Sequence, residues 1–280
     1  MIEPFFKDKD VTLYYHDCIA GMHEMAEGLY ELLVTSPPYN VGEKYEQGVT
    51  FGEYLKLISD FYVESFRIIR KGGYCIVNFG DYYTSYTEEG QLIPMEVMHH
   101  VIAERAGWIE KASRIWKKDF ARLGDRFSIN TNLPKDEHEH LVTFRKPGGG
   151  KEKVREQAFH PHSVWDTSGK HQEVTTRKFH QAAFPEYLVV MVLNVYSDPG
   201  DTVIDPFSGS GTTLYVAKKL GRKGIGFETD IESCEFSRTR LMQQAFDLDG
   251  TVYTTDEQVD LSESMIDNEM KRINPDGIPI

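Results

Sequence analysis

Hydrophobic positions along the chain switch repeatedly between the period of a strand and the period of a helix. Val11 to Tyr15 is a β-rich run, and Glu31 to Thr35 is a short apolar run that stops at Ser36-Pro37-Pro38. Tyr54 to Arg70 carries Leu55, Ile58, Phe61, Tyr62, Phe66 and Ile69 at helical spacing, and Lys71-Gly72-Gly73 predicts its end. Tyr74 to Phe79 reads as a buried strand, Met95 to Ala106 as a helix, with His99-His100 on its surface, Trp108 to Trp116 as extended and His140 to Phe144 as a strand. After a polar stretch, Pro185 to Tyr196 predicts a helix, Thr202 to Ile204 a strand and Thr212 to Leu220 a helix closed by Gly221. Lys223 to Phe227 then predicts a strand, and Ile231 to Phe246 a helix. Strand–helix alternation over most of the length predicts an α/β fold with a doubly wound, mostly parallel sheet.

Domain organisation follows from where the periodicity lapses. Residues 1–250 read as one domain, with 146–177, polar and rich in Gly, His and Lys, as an insertion. Residues 251–280 read as an acidic tail. The longest strongly apolar stretch, around Leu188 to Val195, is too short to span a bilayer, and charged residues near the N-terminus leave no room for a signal peptide. Cys18, Cys75 and Cys234 lie far apart with no C-x-x-C pair, as expected of free thiols in a reducing cytoplasm.

The net charge of −13 argues by itself against nucleic acid, but it is unevenly spread. From Phe246 onward nine acidic residues face Lys271 and Arg272 alone. Positive charge collects in one stretch with Lys111, Arg114, Lys117, Lys118, Arg122 and Arg126, and in another with Arg145, Lys146, Lys151, Lys153 and Arg155. Each nets about +4, enough to neutralise several phosphates if one face gathers them. A solvated face is the alternative. Asp136-Glu137-His138-Glu139-His140 sets two imidazoles on one side of an extended segment, but no third ligand is fixed by spacing, so a polar strand entry is expected and no metal.

Two turns carry chemistry. Thr202 to Thr213, TVIDPFSGSGTT, is a strand, an acidic residue, a glycine-rich turn and a helix start. Gly209 and Gly211 allow a tight turn and close approach of a ligand to backbone N–H groups. It is neither a Walker A loop nor a G-x-G-x-x-G fingerprint. One strand later Glu228 stands at a strand end, where a carboxylate can accept from two ribose hydroxyls. Together these point to an adenosine-containing cofactor.

In the second turn, Thr35-Ser36-Pro37-Pro38-Tyr39-Asn40, consecutive prolines remove backbone donors and leave carbonyl acceptors. An amino group conjugated to a base ring is a poor nucleophile. The Ser36 hydroxyl and Pro37 carbonyl could hold both its N–H bonds and aim the nitrogen lone pair, while Tyr39 stacks on a flipped base.

Together and in this order the motifs resemble the DNA amino-methyltransferases that make N4-methylcytosine or N6-methyladenine, in their circularly permuted beta group. Ser36-Pro37-Pro38-Tyr39 resembles the family's catalytic turn, and Asp205-Pro206-Phe207-Ser208-Gly209-Ser210-Gly211-Thr212-Thr213 its cofactor loop. His16-Asp17-Cys18 resembles the Gly-Asp-Cys turn against the cofactor adenine, with His in place of Gly. Glu139 to Lys146 resembles the strand before the recognition segment. Ser163 to Asp166 and His180 to Pro185 resemble its close, with Gln181 in place of the commoner Pro.

The resemblance, spanning about residues 10 to 245, implies a Rossmann-like S-adenosylmethionine-dependent methyltransferase fold with 146–177 as a small target-recognition insertion. Ser36, Pro37, Pro38 and Tyr39 would be catalytic. Asp17, Cys18, Thr35, Phe184, Pro185, Asp205, Phe207, Ser208, Gly209, Ser210, Gly211, Thr212, Thr213 and Glu228 would hold S-adenosylmethionine. Lys117, Lys118, Arg122, Arg145, Lys146, Lys151 and Lys153 would meet nucleic acid. Serine at the first position of the turn leans toward cytosine N4 in DNA. Adenine N6, an RNA base, and a non-catalytic cofactor-binding protein remain as alternatives. A homodimer and a cognate restriction endonuclease are the further partners expected, with no membrane.

Overall fold

The computed structural model describes residues 2–38, 49–83, 91–117, 138–149, 162–166 and 185–243. The strands, in chain order, are β1 (Phe6–Lys7), β2 (Val11–Tyr15), β3 (Tyr30–Thr35), β4 (Ile69–Phe79), β5 (Tyr82–Tyr83), β6 (Leu92–Ile93), β7 (Ile109–Lys117), β8 (His138–Arg145), β9 (Val164–Asp166), β10 (Thr202–Asp205) and β11 (Lys223–Glu228). The helices are α1 (Cys18–His23), α2 (Phe51–Ile68), α3 (Met95–Arg105), α4 (Glu186–Tyr196), α5 (Thr212–Lys219) and α6 (Ile231–Gln243).

Nine strands form one sheet in the order β1-β2-β11-β10-β3-β4-β8-β7-β9. The run β2-β11-β10-β3-β4 is parallel, and β8 joins it antiparallel beside β4. Adjacent residues of the central strands point to opposite cores. Leu33, Cys75, Val77 and Ile204 pack with buried residues of α1, α2 and α3, whereas Leu32, Val34, Ile76 and Val203 pack with α4 and α5. A third cluster seats Cys234 and Leu241 of α6 on Val11 and Leu13. Both faces are therefore covered, the condition a parallel sheet requires, and the doubly wound architecture expected from the alternation is present.

α2 starts where its sequence dictates. Thr50 and Glu53 form a reciprocal capping box, and Tyr54, Ile58, Phe61, Tyr62, Ser65 and Ile68 make the buried stripe. Its end differs from the expectation. The helix stops at Ile68, and Lys71-Gly72-Gly73, expected to close it, lies inside β4. The glycines serve a strand irregularity: the β3–β4 register shifts between Tyr30 and Leu32, and a Cβ on Gly73 would sit 2.7 Å from the Glu31 carbonyl oxygen.

His99 is also placed differently from the expectation of a helix surface. It is completely buried between α3 and α2, its ring stacked on Phe79 at 4.1 Å and its nitrogens 2.9 and 3.3 Å from the hydroxyls of Tyr62 and Tyr54. Burial pushes its pKa down to about 3, so it is a neutral core group. All three cysteines are free and buried. Within the polar insertion β9 pairs with β7 and buries Trp165. The rest of 150–161 and 167–177, and the tail, lie outside the described residues. Among the described residues no helix is long and apolar enough to cross a membrane.

Candidate active site

Strand order places the site. After β10 the chain passes through α5 to β11 on one side; after β3 it passes through α2 to β4 on the other. β3 and β10 are parallel neighbours, so their carboxyl ends flank the point where the winding reverses, the usual crevice for a ligand in such a sheet. β3 ends at Thr35 and leads into Ser36 and Pro37, and β10 ends at Asp205 and leads into the glycine turn. The Thr35 hydroxyl donates to Asp205 Oδ1 at 2.7 Å, with Thr35 fully buried and Asp205 3% exposed. Two motifs 170 residues apart are joined by one buried hydrogen bond. Ser36 and Pro38 are half-buried and Pro37 is buried.

The glycine turn is shaped for close approach. Phe207 N–H donates to Asp205 Oδ1 at 3.2 Å, and Phe207 leans on Phe61 of α2 at 5.7 Å. Gly209 has φ +49° with nothing within 4 Å of where a Cβ would lie. Gly211, at φ +74°, begins α5, and a Cβ there would strike Ser237 Oγ at 2.0 Å. Ser208, Ser210, Thr212 and Thr213 are all buried. Ser208 Oγ has no hydrogen-bond partner among the described residues. Among the described residues Asp205 accepts from the Thr35 hydroxyl and the Phe207 N–H, and no ion pair reaches it. Burial pushes its pKa up to about 6, against the lowering effect of the Thr35 and Thr213 hydroxyls and the Phe207 N–H. An unoffset buried carboxylate, an orphaned hydroxyl and open space over Gly209 suit a ligand carrying positive charge and polar groups.

The adjoining strand ends complete the crevice wall. β11 pairs with β2 so that Glu228 lies opposite Tyr15. One Glu228 oxygen accepts from Thr229 and Asp230 N–H at 2.8 Å each, and the other from Gly209 N–H at 2.8 Å. Backbone N–H groups thus fix the orientation of the carboxylate. Asp17 caps α1 by accepting from Ala20 N–H at 2.9 Å, and His16 N–H donates to the Glu228 carbonyl at 2.9 Å. Cys18 is buried, and burial raises its thiol well above the ordinary range. Pro185 is buried at the start of α4.

Arg240 of α6 is a residue that sequence reasoning missed. It is 8% exposed, donates to Thr212 Oγ1 at 3.0 Å and to Glu186 Oε1 at 2.5 Å, and lies over the Tyr215 ring at 4.5 Å. One guanidinium thereby ties the glycine turn to the start of α4 beside Pro185. No spacing signal marks it, because its partners lie 28 and 54 residues away.

The basic residues divide. Lys117 is exposed at the end of β7, which runs parallel to β4 through the intervening β8 and so ends on the crevice edge. Arg145 and Lys146 lie at the opposite edge, Arg145 pairing with Tyr74 at the start of the regular part of β4. Lys146 Nζ donates to the carbonyls of Phe66 and Ile69 at 2.5 and 2.8 Å, capping α2 instead of facing the crevice. Arg114, counted in the first basic stretch, is buried; it donates to the Tyr196 hydroxyl at 2.8 Å and stacks over Trp165. Tyr39, Phe184, Lys118, Arg122, Lys151 and Lys153 lie outside the described residues. The fold brings Asp81 beside His138 and His140, the two imidazoles for which spacing fixed no third neighbour.

Comparison with known proteins agrees with this arrangement. Residues 30–239 match the N6/N4 methyltransferase family, described as DNA methylase. The type II methyltransferase M.ScaI of Streptomyces caespitosus is 27% identical over 260 residues, covering 87% of this chain and 85% of its own length. M.HpaI of Haemophilus parainfluenzae is 27% identical over 244 residues, covering 83% and 74%. Among solved structures, the PvuII DNA methyltransferase, described as cytosine-N4-specific, superposes with a TM-score of 0.72 at 21% identity, covering 95% of this chain and 96% of its own. M1.HpyAVI, solved with SAM, superposes with a TM-score of 0.56 at 18% identity, covering 82% and 98%. The match to the family runs from β3, which leads into the Ser36-Pro37-Pro38 turn, through the glycine turn and into α6: the chain belongs to the N6/N4 DNA methylase family.

Proposed function

We propose that this chain transfers the methyl group of S-adenosylmethionine to the exocyclic N4 amino group of a cytosine flipped out of DNA. The observation that carries the reading is the Thr35–Asp205 hydrogen bond, which sets the Ser36-Pro37 acceptors beside the glycine turn at the sheet's winding reversal. When bound, S-adenosylmethionine supplies an electrophilic methyl on a sulfonium. Glu228 accepts from the ribose hydroxyls, and Asp17 and Cys18 border the adenine. Asp205 provides negative charge toward the cationic end of the cofactor, and Phe184 and Pro185 are assigned to its methionine end.

The target amino group donates its two N–H bonds to the Ser36 hydroxyl and the Pro37 carbonyl. This draws the nitrogen toward tetrahedral geometry and frees its lone pair for in-line attack. Pro38 holds the turn rigid and Tyr39 stacks on the base. One C–N bond forms as the methyl's bond to sulfur breaks, the sulfur leaves as a neutral thioether, and the nitrogen's surplus proton passes to solvent. No covalent enzyme intermediate is required, in keeping with thiols that burial keeps protonated.

Serine, an acceptor without charge, favours cytosine over adenine in this reading; adenine N6 keeps the same mechanism. On the DNA side we assign Lys117 together with Lys118, Arg122, Lys151 and Lys153, and withdraw Arg145 and Lys146 because they lie at the other edge. A homodimer and a partner endonuclease fit a small recognition segment and the type II relatives. Light scattering of the free and DNA-bound protein tests the first, and a monomer in both states rejects it. The reading itself is tested by digesting duplex DNA methylated by the protein and identifying the modified nucleoside.

A further inference from the structure

We infer that Asp81, His138 and His140 form a binding site for a divalent transition-metal ion of the Zn2+ class. Alternation along β8 puts both imidazoles on one face of the strand. β4 runs antiparallel to β8 with Phe79 opposite His140, so continuing the register two residues brings Asp81 opposite His138. Asp81 is held there by Met95 N–H, which donates to Oδ1 at 3.0 Å at the start of α3. One ligand atom from each of the three residues lies within 4.8 Å of the others.

The His140 side chain supplies a second, independent observation. It is 10% exposed, and neither ring nitrogen has a hydrogen-bond partner among the described residues. Nε2 lies 3.6 Å from Asp81 Oδ2, and Nδ1 lies 3.6 Å from Glu96 Oε2. Both separations are too long for hydrogen bonds. The Nε2–Asp81 separation approaches the roughly 3.3 Å that separates two ligand atoms on one tetrahedral ion bound at about 2.0–2.1 Å. A buried imidazole held only by two long carboxylate contacts is under-satisfied; an ion on Nε2 with Glu96 at Nδ1 would meet both nitrogens.

Two imidazole nitrogens and a carboxylate are the donor set of Zn2+, Co2+ or Ni2+, not of Mg2+ or Ca2+, which want oxygen alone. Glu96, which accepts from the Ser113 hydroxyl, stands beside the cluster and can orient His140 from its other nitrogen. The ion would bolt the ends of β4 and β8 to the start of α3. The role assigned to the ion is structural, and its test does not require methyl transfer.

The test uses the full chain, stripped with a chelator, then titrated with ZnCl2 by calorimetry and with CoCl2 by visible absorption. The expected result is one equivalent of Zn2+, Co2+ bands of a low-coordinate N/O site, and a rise in thermal midpoint that the chelator reverses. His138→Ala, at a half-buried position, and Asp81→Asn should each weaken Zn2+ binding by at least about tenfold. His23→Ala, elsewhere on the surface, should not. Absence of uptake by the unaltered chain overturns the proposal. So does uptake that His138→Ala and Asp81→Asn leave unchanged, or that His23→Ala reduces equally.

Discussion

Ser36 and Asp205 do different work at the residue scale, and single substitutions separate them. Ser36→Ala removes one of two acceptors for the target amino group but nothing that touches the cofactor. It should lower kcat by roughly tenfold to a hundredfold and leave cofactor Kd within about twofold. Single-turnover kinetics with equilibrium cofactor binding checks this, and an equal loss in both measures removes the role. Asp205 is a carboxyl whose folded pKa, about 6, lies above its ordinary 3.8, chiefly because it is buried. Its contribution to stability is therefore full below about pH 4 and lost as pH rises through about 6. Asp205→Asn keeps an acceptor for the Thr35 hydroxyl and Phe207 N–H while removing the buried charge. Without cofactor at pH 7.5 the variant should melt higher than the unaltered chain. Cofactor affinity should move the opposite way, weaker by about tenfold above pH 6 and converging with the unaltered protein below it. Thermal melts and binding isotherms across pH 5 to 8 read both effects. A variant that both melts lower and binds cofactor as well would contradict the assignment of charge.

Two elements depend on contacts that their own sequences only half announce. α5 begins at Gly211, whose φ of +74° and clash with Ser237 leave no room for a side chain. Gly211→Ala should cost about 1–3 kcal/mol and weaken cofactor binding, since the turn is part of that wall. α2 ends under the Lys146 ammonium, which accounts for the C-terminal cap that Lys71-Gly72-Gly73 seemed to supply. Lys146→Met should lower stability by roughly 1–2 kcal/mol and leave DNA affinity unchanged, read by denaturant unfolding and a DNA-binding isotherm. Element type was legible because periods of 2 and 3.6 differ plainly in β3, α2, β10 and α5. The β4 glycines were misread because a pair of glycines signals a helix end and a strand bulge equally well. His99 was misread for a related reason: α3 is weakly patterned, and its buried stripe of Met95, His99 and Ala103 includes a polar type.

At the scale of the whole molecule, the chain closes its site through pairings far apart in sequence. Thr35 and Asp205 carry no mutual signal across 170 residues, and neither do Asp81 and His138; both contacts follow from strand order. The two motifs were readable as types, and the winding reversal between β3 and β10 is what makes them one crevice. Charge was readable as amount, not as position, so Lys117 and Lys146 looked alike until β7 and β8 put them at opposite edges. Membership of the DNA methylase family settles the class of reaction, and the central claim that remains is the target atom. The most direct measurement is to incubate the protein with labelled S-adenosylmethionine and mixed-sequence duplex DNA, digest the product and identify the labelled nucleoside by mass. The account predicts N4-methyldeoxycytidine, formed roughly tenfold to a hundredfold more slowly by Ser36→Ala; label in N6-methyldeoxyadenosine would contradict it.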